Sequence, residues 1–116
     1  MVRIGGIVPK RGQIIFLELN PRIGSEQSGD RPALVISPTD YNGISRLILI
    51  CPITSRAKGW PFEVQLPPDL EIQGVVLVDQ IRAVDCQARN VKIVEEAPTE
   101  TMMEVLARLE TLVSLS

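Results

Sequence analysis

Proline and glycine cut this chain into runs that suit strands and little else until its C-terminal end. The nine prolines and eight glycines fall mainly between apolar stretches. Each proline fixes its own φ and removes a backbone donor, so it punctuates an element and does not run through one. Gln13–Leu19 is rich in strand formers, and Asn20-Pro21 stops it. Pro32 leads into Ala33–Ser37, a continuous apolar run fit for a central strand, which Pro38 ends. Asp40-Tyr41-Asn42-Gly43 reads as a turn, and Leu47–Cys51 as a third strand. Phe62–Leu66 alternates with period two, the sign of a half-buried strand. Gly74–Arg82 is the strongest strand, solid apolar first and alternating later, and residues 87–94 form a shorter outer strand.

Only the end has a helical period. Met102, Leu106, Leu109 and Val113 repeat at four-three-four spacing, and Val105 and Leu112 widen the stripe. Thr99 is one candidate cap; Thr101 with Glu104 is a candidate capping box. Short strands joined by Pro/Gly turns and closed by one helix predict a mostly β (β+α) fold, a small and strongly curved barrel. The helical stripe packs on that barrel, a role compatible with facing a partner subunit.

The 116 residues suit one domain, 1–116, with no internal repeat. A chain of this length buries roughly two thirds of its extended surface, so it folds without a staple. Cys51 and Cys86 lie in or beside apolar segments and read as buried thiols in a reducing compartment. The start lacks a signal-peptide core and no run reaches a membrane-spanning length, so a cytoplasmic protein with no membrane partner is expected. There is no histidine, and the two cysteines make no zinc signature. No metal and no cofactor are expected, and the usual general base of hydrolases is missing. Formal charge is −2, but residues 1–92 hold eleven basic and nine acidic groups, while 93–116 hold one and five. A locally positive groove is therefore compatible with the acidic total.

Two polar loops flank the core strands. The first, residues 22–31, has neither strand nor helix periodicity and supplies Arg22, Glu26, Gln27 and Arg31. It lacks the terminal Gly-Lys-Ser/Thr of a phosphate-binding loop. The second, Pro52–Trp60, supplies Thr54, Ser55, Arg56, Lys58 and Trp60. If their strands are neighbours, guanidinium and ammonium groups meet a phosphate while Trp60 stacks an exposed base. Spacing alone leaves the alternative open: ordinary solvated loop charges, with Trp60 in the core.

Three ordered stretches resemble the signatures of the MazF/PemK toxin family. They are Pro21-Arg22-Ile23-Gly24-Ser25-Glu26-Gln27-Ser28-Gly29-Asp30-Arg31-Pro32-Ala33-Leu34-Val35; Pro52-Ile53-Thr54-Ser55 with Lys58-Gly59-Trp60-Pro61-Phe62-Glu63-Val64; and Gly74-Val75-Val76-Leu77-Val78-Asp79-Gln80 followed by Arg82. The likeness continues through Asp85 and Arg89 into the C-terminal helix and covers nearly the whole chain. It implies an SH3-like barrel of the MazF/PemK and CcdB toxin type, paired as a homodimer whose RNA groove spans the interface. It implies a ribosome-independent, sequence-selective endoribonuclease of a type II toxin–antitoxin system acting on single-stranded RNA. By the same resemblance Arg31 matches the catalytic arginine, Thr54 the threonine at the scissile phosphate, and Glu26 the glutamate that orients the arginine. Gln27, Ser55, Arg56, Lys58, Trp60 and Arg82 fall along the RNA path. The family chemistry is attack by the RNA 2′-hydroxyl, giving 2′,3′-cyclic phosphate and 5′-hydroxyl ends without a metal. An acidic antitoxin occluding the groove is the implied protein partner.

This sequence departs from the family pattern at Asp30, where some relatives carry histidine or another non-acidic residue, and at Cys86, where an aromatic is common. Trp60 replaces a frequent tyrosine. The fold also hosts gyrase poisons, which bind a protein target, and an inactive homologue is a further alternative; Arg31 and Thr54 together favour RNA cleavage.

Overall fold

A computed structural model describes residues 6–19 and 30–115. Its elements are β1 (Gln13–Glu18), β2 (Asp30–Val35), α1 (Thr39–Ile44), β3 (Ile48–Thr54), β4 (Glu63–Gln65), β5 (Val75–Leu77), β6 (Arg82–Val84), β7 (Lys92–Glu96) and α2 (Thr99–Val113). The seven strands form one sheet in the order β4-β5-β3-β2-β1-β7, with β6 paired to β3, and the strands pair antiparallel.

β3 is the axis of the molecule. Its upper end pairs with β5 through Ile53↔Val76 and Thr54↔Val75, and its lower end with β6 through Ile48↔Val84 and Ile50↔Arg82. Alternate residues of the central strands are buried in two core clusters, which is why these strands read as continuous apolar runs. One face packs Ile14, Leu34, Cys51, Ile53, Val64 and Val76 against Met102 and Val105 of α2. The other packs Ile15, Leu17, Ala33, Val35, Ile48, Ile50 and Val84. The sheet curls until the loop between β4 and β5 meets β7, where the Glu95 carboxylate accepts the backbone N–H groups of Glu71 and Ile72 at 3.0 and 2.7 Å.

Several boundaries differ from the sequence expectation. β2 begins at Asp30 and runs through Pro32, which pairs with Phe16; β3 runs through Pro52 to Thr54. The β2–β3 ladder extends as far as Ala33↔Pro52. A proline is tolerated where its missing N–H is not owed to the ladder, so these two did not end their strands. The expected turn at 40–43 is instead α1, started after Pro38 and anchored by the fully buried Asn42. Its amide donates to the carbonyls of Pro9 and Ser37 at 2.9 and 3.0 Å. The single strand expected over 74–82 is two strands separated by a 3-10 turn, Val78–Gln80, which carries the chain from one end of β3 to the other. The outer strand lies at Lys92–Glu96, later than expected, after a second 3-10 turn at Cys86–Ala88.

The terminal helix is present, but no side chain caps it: Pro98 stands at the N-cap with no side-chain cap hydrogen bond, so neither threonine arrangement forms. Thr101, Met102 and Val105 are buried, Leu106 and Leu109 pack at the margin, and Leu112 and Val113 are exposed. Cys51 and Cys86 are buried and unpaired by disulfide, as expected. Among the described residues no helix is long and apolar enough to cross a membrane.

Candidate active site

Arg31 and Thr54 both stand on strands, not in the loops to which proline punctuation assigned them. Their ladder runs Val35↔Ile50, Leu34↔Cys51, Ala33↔Pro52. Arg31 and Thr54 each lie two positions beyond the last pair of that ladder, at the same end of the two strands. Side chains alternate along a strand, so both share the face of Ala33 and Pro52. Neighbouring strands lie about 4.8 Å apart, so one ligand group at this end of the sheet can meet both side chains. Arg31 is half-buried and also pairs with Leu17 of β1, so its backbone is held from a second side.

Thr54 is only 6% exposed. Its hydroxyl oxygen accepts the backbone N–H of Arg56 at 3.2 Å. That contact uses one lone pair and leaves the hydroxyl hydrogen to donate. Behind it, Gly74 approaches the Thr54 carbonyl so closely that a Cβ there would lie 2.2 Å from the oxygen, and Gly74 has φ +126. Only glycine meets both conditions without moving the strand end.

Beyond Thr54 the chain forms a loop whose backbone is tied down while its cations stay outside. Ser55, Arg56, Lys58 and Trp60 are exposed. Glu63 accepts the backbone N–H groups of Lys58, Gly59 and Trp60, at 3.0, 3.0 and 3.3 Å from Oε1. Gly59 turns the loop at φ +77. Arg108 of α2 donates to the Pro61 carbonyl and pairs with Glu104 at 2.8 Å. Trp60 is 51% exposed, so it is not the core residue that spacing had left open. Its indole N–H donates to Asp79 at 2.9 Å, and its ring lies 5.9 Å from that of Phe62 at 51°. Sequence reading had not singled out Glu63, Asp79 or Gly74; the alternation Phe62–Leu66 placed Glu63 on a strand without revealing what its carboxylate holds.

The structure does not bring Arg82 to the same end. It pairs with Ile50, four residues below Thr54 on β3, which is about 13 Å along the strand at the usual rise. Glu26 and Gln27 lie outside the described residues. Among the described residues no group of three or more His, Cys, Asp or Glu could hold a metal ion. Neither cysteine is poised as a nucleophile. Burial, and then the nearby Asp79, push the Cys51 thiol up to about 12. Burial and Asp85 raise Cys86 to about 12, with Arg89 partly offsetting them.

The architecture has close counterparts. A crystal structure of MazF from Deinococcus radiodurans superposes with a TM-score of 0.88 at 46% identity, covering 93% of this chain and 98% of that one. A MazE–MazF crystal structure from the same organism matches at 0.83 and 47%, covering 94% and 98%. Among curated relatives, the endoribonuclease toxin MazF of Escherichia coli strain K12 is 37% identical over 106 residues, 91% of this chain and 95% of its own length. The endoribonuclease PemK of Escherichia coli is 38% identical over 109 residues, covering 90% and 82%. A model of the PemK-like, MazF-like toxins of type II toxin–antitoxin systems matches residues 10–113, and the chain belongs to that family.

Proposed function

We propose that this protein is a sequence-selective endoribonuclease toxin that cleaves single-stranded RNA, including mRNA, without the ribosome and without a metal. The observation that carries the reading is the β2–β3 pairing, which supports Arg31 and Thr54 at the same end of adjacent strands with exposed Arg56 and Lys58 beyond them.

The chemistry suits a chain with no histidine. The RNA 2′-hydroxyl loses its proton and attacks the adjacent phosphorus, and the bond to the 5′-oxygen breaks. That oxygen takes up a proton, leaving 2′,3′-cyclic phosphate and 5′-hydroxyl ends. No water has to be activated, so the protein's task is in-line alignment and stabilisation of charge on the phosphoryl oxygens. Arg31 donates charge-assisted hydrogen bonds to those oxygens, and the Thr54 hydroxyl donates another. A guanidinium offers hydrogen-bond donors and no acceptor, so Arg31 acts as an electrostatic group. Glu26 completes the site, holding the arginine or accepting the 2′-hydroxyl proton. Gln27, Ser55, Arg56, Lys58, Trp60 and Arg82 follow the RNA.

The protein works in the cytoplasm as a homodimer, and an acidic antitoxin covers the groove in competition with RNA. The MazE–MazF complex of Deinococcus radiodurans supports that partner. The test is incubation of purified protein, free of antitoxin, with a diverse single-stranded RNA pool in EDTA, followed by identification of the new ends. Cyclic phosphate and 5′-hydroxyl ends are expected. Intact RNA from folded protein refutes the reading and favours a toxin that binds a protein target.

A further inference from the structure

The geometry points to Trp60 as a stacking platform that carries no base choice, with Asp79 and Glu63 as the positioning residues that hold it and its loop. The inference rests on the RNA-cleaving reading above and narrows where its sequence selectivity can reside.

An indole has a single polar hydrogen, and in Trp60 it is given to Asp79 at 2.9 Å. What remains of the ring for a ligand is its π surface and apolar edge. Bases differ in the donors and acceptors along their edges, whereas every base has a π face; stacking therefore binds without discriminating. The adjacent backbone is also spent. Three successive N–H groups, of Lys58, Gly59 and Trp60, would otherwise offer donors to a base edge or an anion. Glu63 takes all three. Lys58, Gly59 and Trp60 thus offer RNA no free backbone N–H, only one exposed ammonium and one half-exposed aromatic face.

The same bonds fix where that face stands. Gly59 gives the loop a left-handed residue with nothing within 4 Å of its would-be Cβ, so local packing does not restrain it. The restraint comes from the two carboxylates and from the Phe62 ring tilted against Trp60. Loss of either carboxylate leaves the loop cations in place but frees the platform, which weakens binding of substrate and leaves the reacting groups untouched.

The experiment uses the full-length protein and a short RNA carrying its mapped cleavage site, with cut-site mapping repeated on a diverse pool. Trp60→Ala is expected to raise KM about 5- to 100-fold, the range of one lost base stack, with kcat within about twofold and the same cut-site sequence. Asp79→Ala raises KM in the same direction, and Asp79→Asn, whose amide oxygen still accepts the indole N–H, restores most of it. Trp60→Phe keeps a ring but no N–H, so adding Asp79→Ala to it changes nothing further. Glu63→Gln raises KM with kcat held. The chain has one tryptophan, so its emission reports the tether and the stack directly. A cut-site sequence altered by Trp60→Ala overturns the inference, because the ring then reads a base. An unchanged KM in Trp60→Ala, or additive effects of Asp79→Ala and Trp60→Phe, overturns it as well. Wild-type protein that leaves all RNA intact removes the cleavage reading, and the platform with it; cleavage by wild type with inert variants removes the platform alone. Should Trp60→Ala fail to fold, Trp60→Phe and the two Asp79 variants decide the matter.

Discussion

Replacing Gly74 by alanine places a methyl group against the backbone that presents Thr54. The new Cβ would lie 2.2 Å from the Thr54 carbonyl oxygen, 2.8 Å from its carbon and 3.1 Å from the Cα of Ser55. Ordinary contact begins at 3.4 Å, so the strand end must retreat by about 1.2 Å. Backbone held in a ladder on one side and a core on the other yields only by deforming both. Overpacking of this kind costs about 1–3 kcal/mol, and an alanine at φ +126 costs roughly another 1–3 kcal/mol. With about 2.1 cal/mol/K of unfolding entropy per residue, 116 residues give roughly 4 °C of Tm per kcal/mol. A fall of about 8–24 °C is expected by differential scanning calorimetry. In the surviving folded protein, a shift of about 1 Å in a group that steadies the transition state lowers the cleavage rate about 100-fold. Gly59→Ala is the control: φ is +77 but nothing lies within 4 Å, so only the backbone conformation is penalised, about 1–2 kcal/mol, and kcat holds. If Gly74→Ala melts within about 4 °C of wild type and cleaves within threefold of its rate, the close approach is absorbed elsewhere and does not position Thr54.

Three further outcomes follow from the same geometry. Arg31→Ala should lower kcat by about 100- to 1000-fold in a single-turnover RNA assay, and Thr54→Ala likewise, while Thr54→Ser keeps the donor and most of the rate. Asn42→Ala should cost about 2–4 kcal/mol by urea denaturation with cleavage retained, because it leaves the carbonyls of Pro9 and Ser37 without their donor. Both thiols should resist iodoacetamide in the folded protein at neutral pH and react in urea. Their folded values are raised from 9.0 to about 12, so the folded state keeps protons that the unfolded chain releases. That contribution to stability is complete below about pH 9 and is lost as pH rises from there toward 12, which a falling urea midpoint across that window will record.

Most strands were legible because turn residues separate them, yet the two residues of greatest interest were assigned to the wrong element. Pro32 and Pro52 look like strand ends, since a proline normally breaks a ladder. Here each is accommodated within its strand, so β2 starts early enough to include Arg31 and β3 lasts long enough to include Thr54. Register is a tertiary property, and no local pattern reveals which residues will face each other across it. The split of 74–82 was hidden for a different reason. Val75–Val78 is uniformly apolar and Asp79-Gln80 resembles the alternation of a strand emerging from the core, whereas a 3-10 turn there lets β5 and β6 share β3. The carboxylates of Glu63 and Asp79 were invisible because their partners are backbone or indole N–H groups, which leave no charge pattern to find.

The junction at Glu95 sets where this molecule can open. Every other neighbouring pair in the sheet order is joined by a ladder, whose bonds break together. Among the described residues the Glu95 carboxylate joins β7 to the β4–β5 loop, while Leu70 and Ile72 of that loop pack against the core. Such a joint is a natural low-energy opening, because separating it exposes little buried backbone. It lies at the outer ends of the strand order, while β2 and β3 are central. Opening at the rim would therefore leave the β2–β3 ladder, and the strands that carry Arg31 and Thr54, paired.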